Sequence, residues 1–271
     1  MKVRILAAVV LLPLLLAIVL FLPKFCTTIL FGVVCAIAAR ELLLKTGLVK
    51  QTRLVTYGMI MAFFVAIWSS VWSIYTLVLL GVFSLFVILA AELLVNHSEM
   101  KFEELALTVM AGYVLPFLLS SVVRIHNWNG GRVLILLPFV ISFMSDTFAY
   151  FAGCLLGKHK LAPEISPKKT VEGLAGGILG ALVGVVIYCL VAEKYLHFAV
   201  NYYYIPIYGI LGSLAAVLGD LCFSAIKRQT GIKDYGSLIP GHGGILDRFD
   251  SMIVVAPLVE LLMLFIPMVV K

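Results

Sequence analysis

The chain has 271 residues, 63% hydrophobic and 13% charged, with a mean hydropathy of +1.13 and a formal net charge of +6. That balance excludes an ordinary soluble domain and identifies an integral membrane protein, in which each bilayer crossing takes about 20 mostly apolar residues. The length then fits an all-α polytopic fold of about nine crossings in a single membrane domain, 1–271, with no linker rich in Pro, Gly or Ser.

The expected spans are 5–23, 27–44, 54–72, 74–94, 104–124, 133–156, 174–192, 204–226 and 251–270. The first follows Lys2 and Arg4 as a signal peptide would, but no small-x-small cleavage site precedes Leu22, Pro23 and Lys24, so it reads as a retained helix. Only Ser69, Ser70 and Ser73 separate spans 3 and 4; one long kinked helix there would reverse everything downstream. Lysine and arginine collect on the cytoplasmic side. A cytoplasmic N-terminus places 15 of the 20 basic residues on that side, together with both polar loops, 157–173 and 227–250. Helices 1 to 5 (1–125) are thereby distinguished from helices 6 to 9 (133–271), which carry the loops. The five cysteines lack CxxC or metal spacing and read as buried packing residues. Gly176, Gly180 and Gly184 read as a surface for close helix packing.

An acidic side chain at mid-span costs about 2.5–3.5 kcal/mol, so those present are candidates for function. They are Asp146 in span 6, Asp220 in span 8 and Glu260 in span 9. Helical spacing puts Ser213, Asp220, Ser224 and Lys227 on one face, and Ser142, Asp146, Ala149 and Gly153 on another. A packing pair is the alternative for Asp146, and a structural role the alternative for Glu260. Glu41 beside Arg40, and Glu92, read as interfacial groups without a catalytic role.

In the first loop, Ser166 and Pro167 suit a helix start as N-cap and first residue. That would place Lys168 and Lys169 at the positive end of a helix dipole, where an anion is favoured. The second loop, from Ser224 to Asp250, holds Lys227, Arg228, Lys233, Arg248, Asp234, Asp247, Asp250, His242 and five glycines (Gly231, Gly236, Gly241, Gly243, Gly244). Glycines let backbone turn sharply and approach a ligand, and with fixed cations and carboxylates they describe a site for a phosphorylated, metal-bound ligand. Asp247 and Asp250, three apart at a helix start, would share a face suited to Mg²⁺, with Asp220 as a third donor. His242 reads as a phosphate contact.

Taken together, Ser224, Lys227-Arg228, Lys233-Asp234, Gly236, Ile239-Pro240, His242-Gly243-Gly244, Asp247-Arg248 and Asp250 resemble the signature of the phosphatidate cytidylyltransferases. Ser145-Asp146 and Ser166 to Thr170 with Glu172-Gly173 resemble that family's secondary motifs, so the resemblance covers at least 145–250. It implies the reaction of CTP with phosphatidate to CDP-diacylglycerol and pyrophosphate, in the cell (inner) membrane, dependent on Mg²⁺ and helped by a monovalent cation such as K⁺. It also implies a homodimer; no nucleic-acid partner is expected. On this resemblance Asp220 and Asp247 hold metal ions, with Asp146 and Asp250 in or next to the shell. Lys227, Arg228, Lys233 and Arg248 bind triphosphate and pyrophosphate, and Lys168 and Lys169 meet the lipid headgroup or the nucleotide. Ser224, His242, Gly243 and Gly244 complete the expected substrate contacts. The alternatives are a CTP-dependent lipid kinase, which would release CDP, and a secondary transporter, for which buried carboxylates are also typical. A CDP-alcohol phosphotransferase would need a DGxxAR pattern, which the sequence lacks.

Overall fold

The computed structural model describes residues 13–71, 73–96, 101–239, 241 and 243–270. The chain forms two compact units, one within Met1–Arg124 and Gln229–Arg248, the other within Ile125–Arg228 and Phe249–Lys271. The glycine-rich loop is thus counted with the N-terminal helices.

The first unit contains α1 (13–21), α2 (Lys24–Lys45), α3 (Thr52–Val71), α4 (Ile74–Val95), α5 (Phe102–Val109), a π-helical turn (Met110–Val114) and α6 (Leu115–Leu119). Helices α2 and α3 pack as a hairpin around the fully buried Phe31, Leu43, Leu54 and Val65. Their approach depends on Gly58, where a Cβ would lie 2.8 Å from Leu43 Cδ1. Between α3 and α4 the backbone of Ser73 is extended, and its hydroxyl accepts from the Thr76 amide at 3.3 Å. An N-cap of this kind begins a new helix, so the pair is two helices and not one kinked rod. Arg53 on α3 and Glu92 on α4 pair at 3.3 Å, as expected of an interfacial glutamate. The π turn falls immediately before Pro116, where the Leu115 amide reaches back to Met110 O. Widening the turn makes room for a proline ring that would strike a carbonyl one α-turn back.

The second unit contains α8 (Gly131–Leu134), α9 (Leu136–Leu156), the strands β1 (Lys160–Ala162) and β2 (Ser166–Thr170), and α10 (Val171–Leu196). After them come β3 (Ala199–Val200), α11 (Ile205–Gln229), α13 (Met252–Phe265) and β4 (Val269–Val270), which pairs with β3. Helix α7 (Ser121–Asn127), the last residue of α11 and the short α12 (Leu246–Phe249) fall at the three boundaries between units. The glycine face of α10 packs on α9: a Cβ at Gly177 would lie 3.1 Å from Ser145 O, and one at Gly184 would lie 2.7 Å from Met144 Cγ. Ser145 on α9 and Ser213 on α11 join their hydroxyls at 2.8 Å. Close packing without bulky side chains is the expected role of these small residues in a membrane.

Seven helices among the described residues are long and apolar enough to cross a membrane, and each matches one expected span. Of the first expected span, 5–23, residues 13–21 form α1, and 5–12 lie outside the described residues. For the last, α13 has 14 residues, about 21 Å of helix against a hydrocarbon layer of about 30 Å. Cys35 and Cys189 are buried as expected, whereas Cys154 and Cys222 are exposed. Both stand on membrane helices, whose outer faces are as apolar as their cores.

Candidate active site

The glycine-rich loop has almost no regular structure, so each of its backbone groups needs another partner. Gly231, Gly241 and Gly243 adopt φ of +70°, +74° and +87°, a conformation that side chains with a Cβ disfavour. One turn is closed by the Ile239 amide donating to Gly243 O at 3.0 Å. Asp247, buried in α12, accepts at one oxygen, Oδ2, from the amides of Tyr235 at 2.8 Å and Gly244 at 3.0 Å. Tyr235 is fully buried and roots the loop's middle.

The third anchor is Glu41 of α2. Its Oε1 accepts from the Ile245 amide at 3.1 Å and its Oε2 from the Leu246 amide at 2.8 Å. Gly236 and Gly244 are glycines for this reason: a Cβ at Gly244 would lie 2.5 Å from Glu41 Oε2, and one at Gly236 would fall on Oε1. The expectation that Glu41 is an interfacial bystander is therefore corrected; it is 5% exposed and holds the loop. The only sequence signal for it was an acid inside an apolar span.

Held this way, the loop walls a cavity of about 570 Å³ whose lining includes Lys233, Asp234, Gly236, Gly241, Gly243 and Arg248. That volume suits a small ligand, and the exposed Lys233 and Arg248 supply cations in a wall that also holds Asp234, Ser237, Ile239 and three glycines. His242 lies outside the described residues.

In the second unit, Asp220 accepts at Oδ1 from Ser224 Oγ at 3.0 Å, and its Oδ2 pairs with Lys169 Nζ at 2.7 Å. Next to it Gly219 admits the chain of Asp250 and Ser251: a Cβ there would lie 2.6 Å from Asp250 O. Asp250 Oδ1 accepts from the Ser251 amide at 2.8 Å. Burial pushes the Asp250 carboxyl up to about 7, with Asp220 and, more weakly, Asp146 adding repulsion against the attraction of Lys227. Lys227 is buried at the end of α11, and Arg228 Nε donates to Ile165 O at 3.2 Å. Asp146 is exposed on α9.

Two expectations about local structure are corrected. Ser166 to Thr170 form strand β2 of a hairpin with β1 and do not begin a helix. Thr170 is the cap of α10, its hydroxyl accepting from the Gly173 amide at 3.1 Å. Lys168 is therefore an exposed strand residue and Lys169 is the counterion of Asp220, both on β2 ahead of the Thr170 cap and not in the first turn of a helix. Asp247 and Asp250 also do not share one helix: α12 ends at Phe249 and Asp250 lies in the turn before α13.

Among the described residues no three His, Cys, Asp or Glu side chains converge as a ready metal cage. The donor chemistry fits Mg²⁺ nonetheless: the carboxylates of Asp220, Asp250 and Asp146 repel one another, with Lys169 and Lys227 offsetting part of that charge, and that ion takes one or two carboxylates and completes its shell with water and substrate phosphate.

Residues 2–266 match the sequence profile of the cytidylyltransferase family. The phosphatidate cytidylyltransferase of Bacillus subtilis (strain 168) is 39% identical over 185 residues, 68% of this chain and 67% of that protein. The phosphatidate cytidylyltransferase of Staphylococcus haemolyticus (strain JCSC1435) is 32% identical over 277 residues, 97% of this chain and 99% of its own length. That of Staphylococcus epidermidis (strain ATCC 12228 / FDA PCI 1200) is 45% identical over 130 residues, 48% of each chain.

Proposed function

The chain belongs to the cytidylyltransferase family, and from that premise we propose how its residues make CDP-diacylglycerol and pyrophosphate from CTP and phosphatidate. A phosphate oxygen of phosphatidate attacks the α-phosphorus of CTP. One P–O bond forms, the bond to the β-phosphate bridging oxygen breaks, and pyrophosphate leaves with the electron pair. The nucleophile is already an anion, so no strong base is needed; catalysis consists of holding two polyanions in line and offsetting their charge.

The glycine loop receives the triphosphate. Lys233 and Arg248 line its cavity, and with Lys227 and Arg228 they offset the charge of the departing pyrophosphate. Gly243 and Gly244, with His242 between Gly241 and Gly243 in sequence, bring main chain close to phosphate oxygens. In the helical unit Asp220, with Asp146 and Asp250, would hold Mg²⁺, and Ser224 fixes the Asp220 carboxylate. On the loop, Asp247 would offer a further carboxylate to a phosphate-bound ion while its Oδ2 holds two amides. Mg²⁺, when bound, offsets phosphate charge as the bond to pyrophosphate breaks; a monovalent cation such as K⁺ belongs to the same proposal. Lys168 and Lys169 serve the phosphate of the lipid or of the nucleotide. The enzyme works in the cell membrane with its N-terminus and both loops cytoplasmic, as a homodimer, and takes no nucleic acid.

The observation that carries this reading is the cationic, glycine-walled cavity of the loop. Purified enzyme should release pyrophosphate only when CTP, phosphatidate and Mg²⁺ are all present. Release of CDP in its place would make the chain a lipid kinase, and movement of a labelled solute without CTP consumption would make it a transporter.

A further inference from the structure

We propose that Glu41 is a positioning residue for nucleotide binding: it holds the glycine loop in the shape that receives the triphosphate. The proposal rests on the reading that this loop binds CTP. Ile245 and Leu246 follow directly on Gly244, whose own amide is held by Asp247. Two carboxylates thus secure three successive amides, with Tyr235 as a fourth contact. Buried amides left without an acceptor are costly, and a charged acceptor makes the stronger bond.

The chemistry requires a carboxylate and not merely a polar group. The two amides go to different oxygens of Glu41. A glutamine has one carbonyl oxygen, and its NH₂ would face the second amide donor to donor. The link to the ligand cavity is Gly236, which lines the cavity and also abuts Glu41 so closely that no Cβ fits between them. A shift of Glu41 therefore moves a wall of the cavity. A negative charge placed so near a polyanion's site would only repel it if its purpose were ligand contact; bonded to two amides, it is committed to the backbone instead.

The test compares wild type with Glu41→Gln, and with Gly244→Ala as a disturbance of the same contact from the loop side. Equilibrium binding of labelled CTP in detergent with Mg²⁺ should weaken about tenfold in Glu41→Gln, the loss of one such bond. The KM for phosphatidate should stay within about twofold. Trypsin should cut at Lys233 faster than in wild type, and Gly244→Ala should show the same pattern. Unchanged CTP affinity with unchanged cleavage would overturn the proposal. So would an equal loss of kcat and of both substrates' binding with a large drop in thermal midpoint, which is what a merely structural residue gives. Wild type that binds no CTP sinks the nucleotide assignment instead; the cleavage comparison, which needs no ligand, still decides whether Glu41 holds the loop.

Discussion

Asp220 gives one oxygen to Ser224 and the other to Lys169, so its carboxylate is oriented before any ligand arrives. Replacing it by asparagine keeps the shape and removes the charge. Asp220→Asn is expected to lower turnover on the order of a hundredfold or more, while the thermal midpoint moves by only a few degrees because the ion pair is partly exposed. Near-normal pyrophosphate release would remove Asp220 from the machinery. Asp250 offers a check by pH. Unfolded, it ionises near its ordinary value of 3.8; folded, near 7. Between those values the folded state keeps a proton that the unfolded chain has lost, so its contribution to stability is full below 3.8 and vanishes as pH rises through 7. In metal-free detergent Asp250→Asn, which stays neutral, should therefore have a thermal midpoint close to wild type near pH 4 and become steadily the more stable of the two up to about pH 7; a constant difference would assign the effect elsewhere. Asp220 was legible in the sequence because charge in an apolar stretch is rare, and Asp250 because it closes the polar loop three residues after Asp247. Glu41, beside Arg40, read as an interfacial group, because its partners lie 204 and 205 positions away, a distance that no local pattern encodes.

At the scale of elements, hydropathy located the membrane helices and the serine break between α3 and α4, but the loop conformations escaped. Ser166-Pro167 satisfies the rules for a helix start and equally those for an edge strand, since proline drives the preceding residue to extended backbone and its missing N–H is harmless at an edge. The choice was made by pairing with Lys160–Ala162, and the cap passed to Thr170. Thr170→Ala should cost about 1 kcal/mol, seen as a drop of roughly 2–4 °C in thermal midpoint for a chain of this size, with Thr170→Ser close to wild type. An equal loss in both variants would show that the methyl packing matters and the hydroxyl does not. The expectation for Asp247 and Asp250 failed for a similar reason: a shared face presupposes an unbroken helix, and α12 stops after four residues.

For the whole molecule, the bias of lysine and arginine predicts that both polar loops face the cytoplasm. A cysteine at Ser237, exposed in the loop, can test this in a background whose native cysteines are serine. A membrane-impermeant maleimide should label it in inverted vesicles and not in right-side-out ones; the opposite result would invert the topology. The all-α class and seven of the spans could be read from apolar run length alone. The grouping of the glycine loop with the first helices could not, because it depends on one acid and two glycines meeting across the length of the chain.

That meeting bears on how the protein is made. The N-terminal unit is discontinuous, and Ile125–Arg228 is synthesised before its last piece, Gln229–Arg248. As the ribosome feeds helices into the bilayer one after another, the acid on α2 must wait for more than two hundred residues before the main chain that satisfies it emerges. Nascent chains stalled short of Leu246 should accordingly leave their first helices open to quality-control proteases, and release from that vulnerability should come abruptly, near the end of translation.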